Sequence, residues 1–311
     1  MRDKNKFKIK TGNLIGKPSK IIKKYDDNEQ VKYDNELDTI PFKRFKAVEM
    51  NLFFSIVSQM RNKDTETVRF PFSDLRKLSK YAHENTKVFI RDLKNTYHKM
   101  LALTIYSEQE GEYYEWVLFD EFHISEKHKF VDISVNPKRK YILNNLSRWT
   151  RFSLQQFNSL KSSYAKTIFR LCKQFRTKGI RFLSKEKFSK QLDIPKSYGL
   201  SHIDERILKP SRKELRKIWP EFDYGKRKSK KRNHKLLGYY FIWKPEAKNN
   251  KDIVNKAYRN NFASDWQKKK ASPNYRKPFK KENQNKIGVG KKVHKTSNRK
   301  ASKVYKDFKD N

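Results

Sequence analysis

The chain has 311 residues, room for about two domains and their flanks, and carries 75 Lys and Arg against 34 Asp and Glu, a net charge of +41. That balance points to a polyanionic partner, with DNA, RNA or an anionic surface as the candidates, while an aromatic content of 14% excludes a wholly disordered polycation. No apolar run is long enough to span a bilayer and "MRDKNKFKIK" has no hydrophobic stretch behind its charges, so neither a membrane segment nor a signal peptide is expected; Cys172, the only cysteine, permits no intramolecular disulfide and suits a reducing, cytoplasmic setting.

Residues 1–32 read as a flexible basic arm. In "FKAVEMNLFFSIVSQM" the residues Val48, Leu52, Phe53, Ile56, Val57 and Met60 recur at helical steps, which predicts a helix with one buried face. Ser73 is placed to cap a short helix to about Lys80, with Leu75 and Leu78 inward. After a break at Ala82–Glu84, a longer helix runs to about Leu101. It buries Phe89, Leu93, Tyr97 and Met100 and turns Lys87, Arg91, Lys94, Asn95 and His98 to the other side. "LALTIYSE" and "EYYEWVLF" then read as a hairpin turning at Gln109-Glu110-Gly111, and "FVDISV" as a third, half-buried strand. Three helices followed by a hairpin is the winged-helix order, with Ser73–Tyr81 and Asn85–Leu101 as its helix-turn-helix.

The second half repeats the order. "FSLQQFNSLKSSYAKTIFRLCKQF" aligns Phe157, Leu160, Tyr164, Ile168, Leu171 and Phe175 along one helix, stopped at Gly179. A short helix follows Ser184, with Phe188 and Leu192 inward, and "DIPKSYGLS" is a loop. "HIDERILKPSRKELRKIW" is helical, with Pro210 expected to kink it or to open a second segment. The hairpin "PEFDYGKRKSKKRNHKLLGYYFIW" joins a cationic tip to an apolar base that predicts burial of Leu236, Leu237, Tyr239, Tyr240, Phe241, Ile242 and Trp243. The expected architecture is α+β: a winged-helix domain over 33–149, a second over 150–245, and a basic, mostly disordered tail over 246–311, with a short helical pattern near Ile253–Trp266.

In this frame the second hairpin is a wing whose Lys226, Arg227, Lys228, Lys230, Lys231 and Arg232 lie along phosphates and set affinity and register. Base reading falls to the helices: His202, Arg206, Lys209, Arg212, Lys213 and Arg216 in the second half, and Lys87, Arg91, Lys94, Asn95 and His98 in the first. Any one of these cations alone is most simply a solvated helix face; the set on two second helices and a wing is what points to duplex DNA. No catalytic, cofactor or metal constellation is evident. "GNLIGKPS" has three residues between its glycines where a phosphate loop needs four, and Pro18 follows Lys17 where Ser or Thr belongs. His123 and His128 have poor metal spacing, and the histidine pair of a nicking enzyme is missing.

The stretches "FKAVEMNLFFSIVSQM", "DISVNPKRKYILNNL", "RFSLQQFNSLKSSYAKTIFRLCKQFRTKG" and "LDIPKSYGLSHIDERILKPSRKEL" resemble the iteron-type replication initiators of theta-replicating plasmids, over about residues 33–245. The resemblance implies two winged helices, the second being the principal reader of direct repeats at the origin. It implies that the loop residues Lys196, Ser197 and Tyr198 face DNA, together with Arg206, Lys209 and Lys213. It further implies a dimer surface on the first domain, a monomer–dimer equilibrium, recruitment of host initiator and replicative helicase, and repression of the protein's own gene. A transcriptional repressor without initiator activity, a nicking replication enzyme and an RNA-associated basic protein are the alternatives.

Overall fold

The computed structural model describes residues 20–21, 30–109, 112–144, 148–229 and 234–247. The predicted wing-tip residues Lys230, Lys231 and Arg232, most of the N-terminal arm, the tail beyond 247 and its helical pattern at Ile253–Trp266 lie outside them. The chain divides into two compact units. Unit 1 takes residues 44–145 and 153–159 with the chain up to Tyr33, and unit 2 takes 34–43, 146–152 and the chain from Leu160 on. The strands β2 (Gln30–Asp34) and β8 (Trp149–Ser153) straddle boundaries between the units along the chain.

Unit 1 contains β1 (Lys20–Ile21), α1 (Ala47–Met60), β3 (Val68–Pro71), α2 (Phe72–Ser79), α3 (Thr86–Met100), β4 (Thr104–Gln109), β5 (Glu112–Val117), β6 (Phe119–Ser125), β7 (Phe130–Val135) and α4 (Leu154–Ser159). Among the described residues a sheet runs β1-β3-β7-β6, parallel at its first pair and antiparallel at the others, while β4 and β5 make a separate hairpin. The single buried face expected of α1 is corrected. Every residue from Glu49 to Met60 is buried, as in a helix surrounded by its own domain. Phe53 and Phe54 meet edge to face at 4.9 Å, and Phe54 meets Phe157 at 4.8 Å. Burying Glu49 is tolerable because its carboxylate accepts from Lys46 N at 2.6 Å and from Lys99 Nζ at 2.5 Å. Ser73 does not cap α2. Pro71 holds that position and Ser73 lies inside the helix, bonded to Asp74. Helix α3 starts where Asn85 Oδ1 accepts from Lys87 N and Val88 N. The strands β3 and β6 add to the elements that the sequence pattern predicts.

Unit 2 contains α5 (Ser163–Lys173), β9 (Ile180–Ser184), α6 (Lys185–Leu192), α7 (Leu200–Ile203), a π-helical stretch (Asp204–Leu208), α8 (Lys209–Leu215), β10 (Asp223–Lys228) and β11 (Leu236–Ile242). The long helix expected over 152–175 is in fact α4 and α5. The chain breaks at Leu160-Lys161-Ser162, where Ser162 caps α5 and Glu214 Oε2 accepts from Lys161 N at 2.6 Å and Ser162 N at 3.2 Å. A periodic apolar stripe continues across such a break without registering it. Gly179 does end that region, in the left-handed conformation at φ 71°.

The antiparallel sheet β10-β11-β9 packs its inner side on α6, with Phe188 4.3 Å from the Tyr239 ring. Gly238 allows the close approach of β11 to β9, since a Cβ there would lie 2.1 Å from Leu183 O. Tyr239, Phe241, Ile242 and Trp243 are buried as expected, but Leu237 is 42% exposed. Each fully buried large apolar side chain contributes about 1.5–3 kcal/mol. Segment 34–43 is fastened to α5 by Arg170, fully buried, whose Nη1 donates to Leu37 O at 2.9 Å and to Asp38 Oδ1 at 2.8 Å. The other Asp38 oxygen accepts from Thr150 Oγ1.

Candidate nucleic-acid interface

In unit 2, Pro210 explains the geometry of the presenting helix. It has no N–H to offer the carbonyl four residues back. The chain responds with one wide turn, Asp204–Leu208, in which Lys209 N donates to Asp204 O, five residues away. Ile203, Ile207, Leu208 and Leu215 stay buried through this change of period, so the opposite side keeps His202, Glu205, Arg206, Lys209, Lys213 and Arg216 exposed. The outcome at Pro210 is thus a π turn ahead of the proline and a continuous helical path through it.

Three side chains form a cluster where this helix meets the preceding loop. Arg206 Nη1 lies 3.4 Å from Tyr198 Oη with its guanidinium 5.4 Å from the centre of that ring, and the His202 ring is 5.6 Å away on the same tyrosine. Lys196 and Ser197 are exposed in that loop, and Tyr198 is half-buried, its N–H bonded to Pro195 O. Lys209 pairs with Glu205 at 2.5 Å, one helical turn away. Lys213 points outward with no ion pair among the described residues.

Other predicted contacts are engaged inside the unit. Asp223, the first residue of the wing, accepts from Arg212 at 3.3 Å and Arg216 at 3.1 Å, and Arg216 Nε also donates to Phe222 O at 2.9 Å. Asp204, in the π turn, accepts from Lys226 Nζ and lies 3.5 Å from Tyr224 Oη. Burial and then the charge of Asp204 push the Tyr224 phenol up. The two carboxylates therefore link the presenting helix to the wing at both ends of the contact. On the wing itself Arg227 lies over Phe182 and Tyr240, and Lys228 is exposed beyond a bulge in the β10–β11 register. Asp204, Asp223 and Glu205 escape a sequence reading that looks for cations. The signal available is their rarity in so basic a segment.

In unit 1, Lys87, Arg91, Lys94, Asn95 and His98 all lie on the exposed side of α3. Arg91 is 3.4 Å from Asp92, whose other oxygen accepts from Tyr81 Oη at 2.7 Å, and Lys94 pairs with Glu126 at 2.9 Å. Lys87, Asn95 and His98 are the outward polar groups left on that face.

Burial pushes the Cys172 thiol up, so it is no ready nucleophile. Among the described residues no three His, Cys, Asp or Glu gather as a metal site, and no helix is long and apolar enough to cross a membrane.

Comparison with known proteins places this arrangement. Residues 30–173 match the family model described as "Initiator Replication protein, WH1", and residues 184–243 match "Initiator Rep protein, WH2". A "Probable replication protein rep" of Bifidobacterium longum (strain NCC 2705) is 34% identical over 227 residues, which cover 71% of this chain and 74% of that protein. Among solved structures, the Pi initiator protein, crystallised in complex with iteron DNA, superposes with a TM-score of 0.54 over 71% of this chain and all of that one, at 14% identity, which is a likeness of fold. The chain, with its two tandem winged helices, belongs to the family of initiator replication proteins.

Proposed function

We propose that this chain initiates plasmid replication by binding directly repeated duplex DNA at the origin. The α7–α8 helix of unit 2 enters the major groove with His202, Arg206, Lys209 and Lys213, and the β10–β11 wing follows the adjacent phosphates. Helix α3 of unit 1 adds contacts through Lys87, Asn95 and His98. The observation that carries this assignment is the pairing of acids inward and cations outward: Asp204 and Asp223 hold helix to wing, and Arg206 and Lys213 are presented outward. The Pi initiator, a fold relative crystallised with iteron DNA, supports the choice of ligand. Bending or melting an origin costs several kcal/mol, which many phosphate contacts can offset. Self-association through unit 1, recruitment of the host initiator and replicative helicase, and repression of its own gene in the cytoplasm complete the proposal.

Nuclease protection of the DNA flanking the gene is the test. Protection of tandem repeats of roughly two helical turns is expected, with competition by the repeats but not by shuffled duplex at moderate salt. A plasmid carrying that origin should be maintained when the gene is supplied in trans; protection without maintenance would leave a repressor. Equal binding to shuffled duplex would end the proposal.

A further inference from the structure

A cavity of about 230 Å³ opens within unit 2 between the end of α5, β9, α6 and the 3-10 turn Asn35–Thr39, which contributes Asp38 and Thr39. Its charged lining is mostly cationic, with Arg181 from β9 and Lys187 and Lys190 from α6 against Asp38, and Thr39, Gln174 and Gln191 are its neutral polar groups. Arg181 is half-buried, its guanidinium 4.1 Å from the centre of the Phe175 ring, and its Nε is buried without an acceptor. The acid that lines the cavity, Asp38, has both oxygens engaged, by Arg170 and by Thr150. Lys187 and Lys190 are exposed at the rim with no ion pair among the described residues. Gln191 donates to Thr39 O at 2.8 Å, and its buried Oε1 has no donor. A half-buried guanidinium whose Nε has no acceptor is costly even with the charge of Asp38 nearby, and a bound anion reduces the cost.

We propose that this cavity is a phosphate-binding site, in which Arg181 donates to a phosphoryl oxygen, Lys187 and Lys190 supply the balancing charge, and Gln191 Oε1 accepts from a ligand hydroxyl or its bound water. Three cations with no free acid suit a dianion better than a carboxylate, and the arginine fork matches phosphoryl geometry. The cavity is below the ~300–1,000 Å³ of sites that enclose a whole drug-sized ligand, so it holds a head group while the remainder stays outside. The phosphate has two sources to separate, a nucleotide of the DNA backbone and a free phosphorylated metabolite. The first source rests on the function proposed above; the second does not.

The full-length chain and three variants separate the outcomes. Arg181→Met keeps an apolar stack on Phe175, Lys187→Gln with Lys190→Gln changes only exposed groups, and Lys77→Gln on α2 of unit 1 controls for loss of charge elsewhere. Calorimetric titration with inorganic phosphate and with ATP reads the free source. Saturable binding that weakens at least tenfold in both cavity variants and not in the control is expected if it operates. Binding to a shuffled duplex across salt concentrations reads the backbone source, with the cavity variants shallower in log–log slope by about 0.9 per lost contact. Measuring repeat preference in the same wild-type titration keeps the two proposals apart: its absence removes the initiator function and leaves the free-phosphate result standing. If neither phosphate nor ATP binds saturably, and the cavity variants bind duplex as the control does, the site does not exist.

Discussion

Between Thr104 and Val117 the hairpin of unit 1 carries Glu108, Glu110, Glu112 and Glu115 and no Lys or Arg, whereas residues 223–242 of unit 2 hold seven Lys and Arg and one acid, Asp223. The same supersecondary position thus has opposite charge in the two winged helices. A phosphate backbone attracts the second hairpin and repels the first. Their packing differs in the same sense. The β10–β11 wing is continued into a three-stranded sheet by β9 and tied to the presenting helix through Asp204 and Asp223, while β4 and β5 form a two-stranded sheet of their own with Tyr113 58% exposed. A duplicated architecture does not make the two units equivalent: under the proposed function unit 2 uses both its helix and a basic wing, and unit 1 its helix alone.

The largest expected effect comes from removing the charge on which this contrast depends. Lys226, Arg227 and Lys228 changed together to Gln should weaken binding to repeat and shuffled duplex alike, by on the order of 10²-fold at 0.1 M salt, with a log–log slope shallower by about two, since Asp204 already engages Lys226. Glu112→Gln with Glu115→Gln in the unit 1 hairpin should leave both affinities within about twofold. If the second pair of changes matters as much as the first set, the hairpins do not differ in the way their charges suggest.

Next in size is the helix. Arg206→Ala should cost about 1–3 kcal/mol on the repeat and little on shuffled duplex, because Tyr198 holds the guanidinium beside the ring rather than on a carboxylate. Asn95→Ala on α3 applies the same test to unit 1, and a smaller loss there would rank the two readers. Equal losses on repeat and shuffled DNA for Arg206→Ala would demote it to a phosphate contact.

Asp223→Asn should act in the opposite direction. It releases Arg212 and Arg216 from the wing, so binding to shuffled duplex should tighten severalfold while repeat preference narrows. Glu205→Gln, which frees Lys209, should do the same to a lesser degree. Competition titrations with the two duplexes measure both.

The ion pairs behind these predictions are the part of the site that the sequence hides. Helices α2, α3 and α6, the β4–β5 hairpin, β7 and the basic hairpin can be read from period and turn residues, because each is specified locally. The fate of Arg212 cannot. Its partner Asp223 lies eleven residues on, across the turn between helix and wing, and only tertiary structure brings the two together. The break between α4 and α5 is hidden for a similar reason: the Glu214 carboxylate that satisfies the freed N–H groups of Lys161 and Ser162 is more than fifty residues away. The π turn is half visible, since Pro210 announces a disturbance without its form. Strands β3 and β6 are short or alternate poorly, and pairing with β7 is what selects them.

The smallest effect on DNA binding, close to none, is expected at Lys166, and it contrasts the cores of the units instead. Unit 1 buries the carboxylates Glu49 and Asp132, each facing a cation, Lys99 or Arg69. Unit 2 buries the Asp38–Arg170 pair in the same way, and adds Lys166, which desolvation pushes down to about 7 against a partial counter-effect from Glu214. The unfolded chain holds the lysine proton up to about pH 10.4. Below pH 7 both states are protonated and the folded state bears the penalty of the buried cation that its surroundings do not offset. Between the two values the unfolded state binds more protons, so stability rises with pH, and above both the penalty is gone. Lys166→Met keeps the volume and removes the charge. Urea unfolding at pH 6 and pH 9 should show the variant ahead of the parent at pH 6 and the gap narrowed at pH 9. A gap that does not change between the two values would mean that the groups around Lys166 offset its desolvation in full and that the buried cation costs unit 2 nothing.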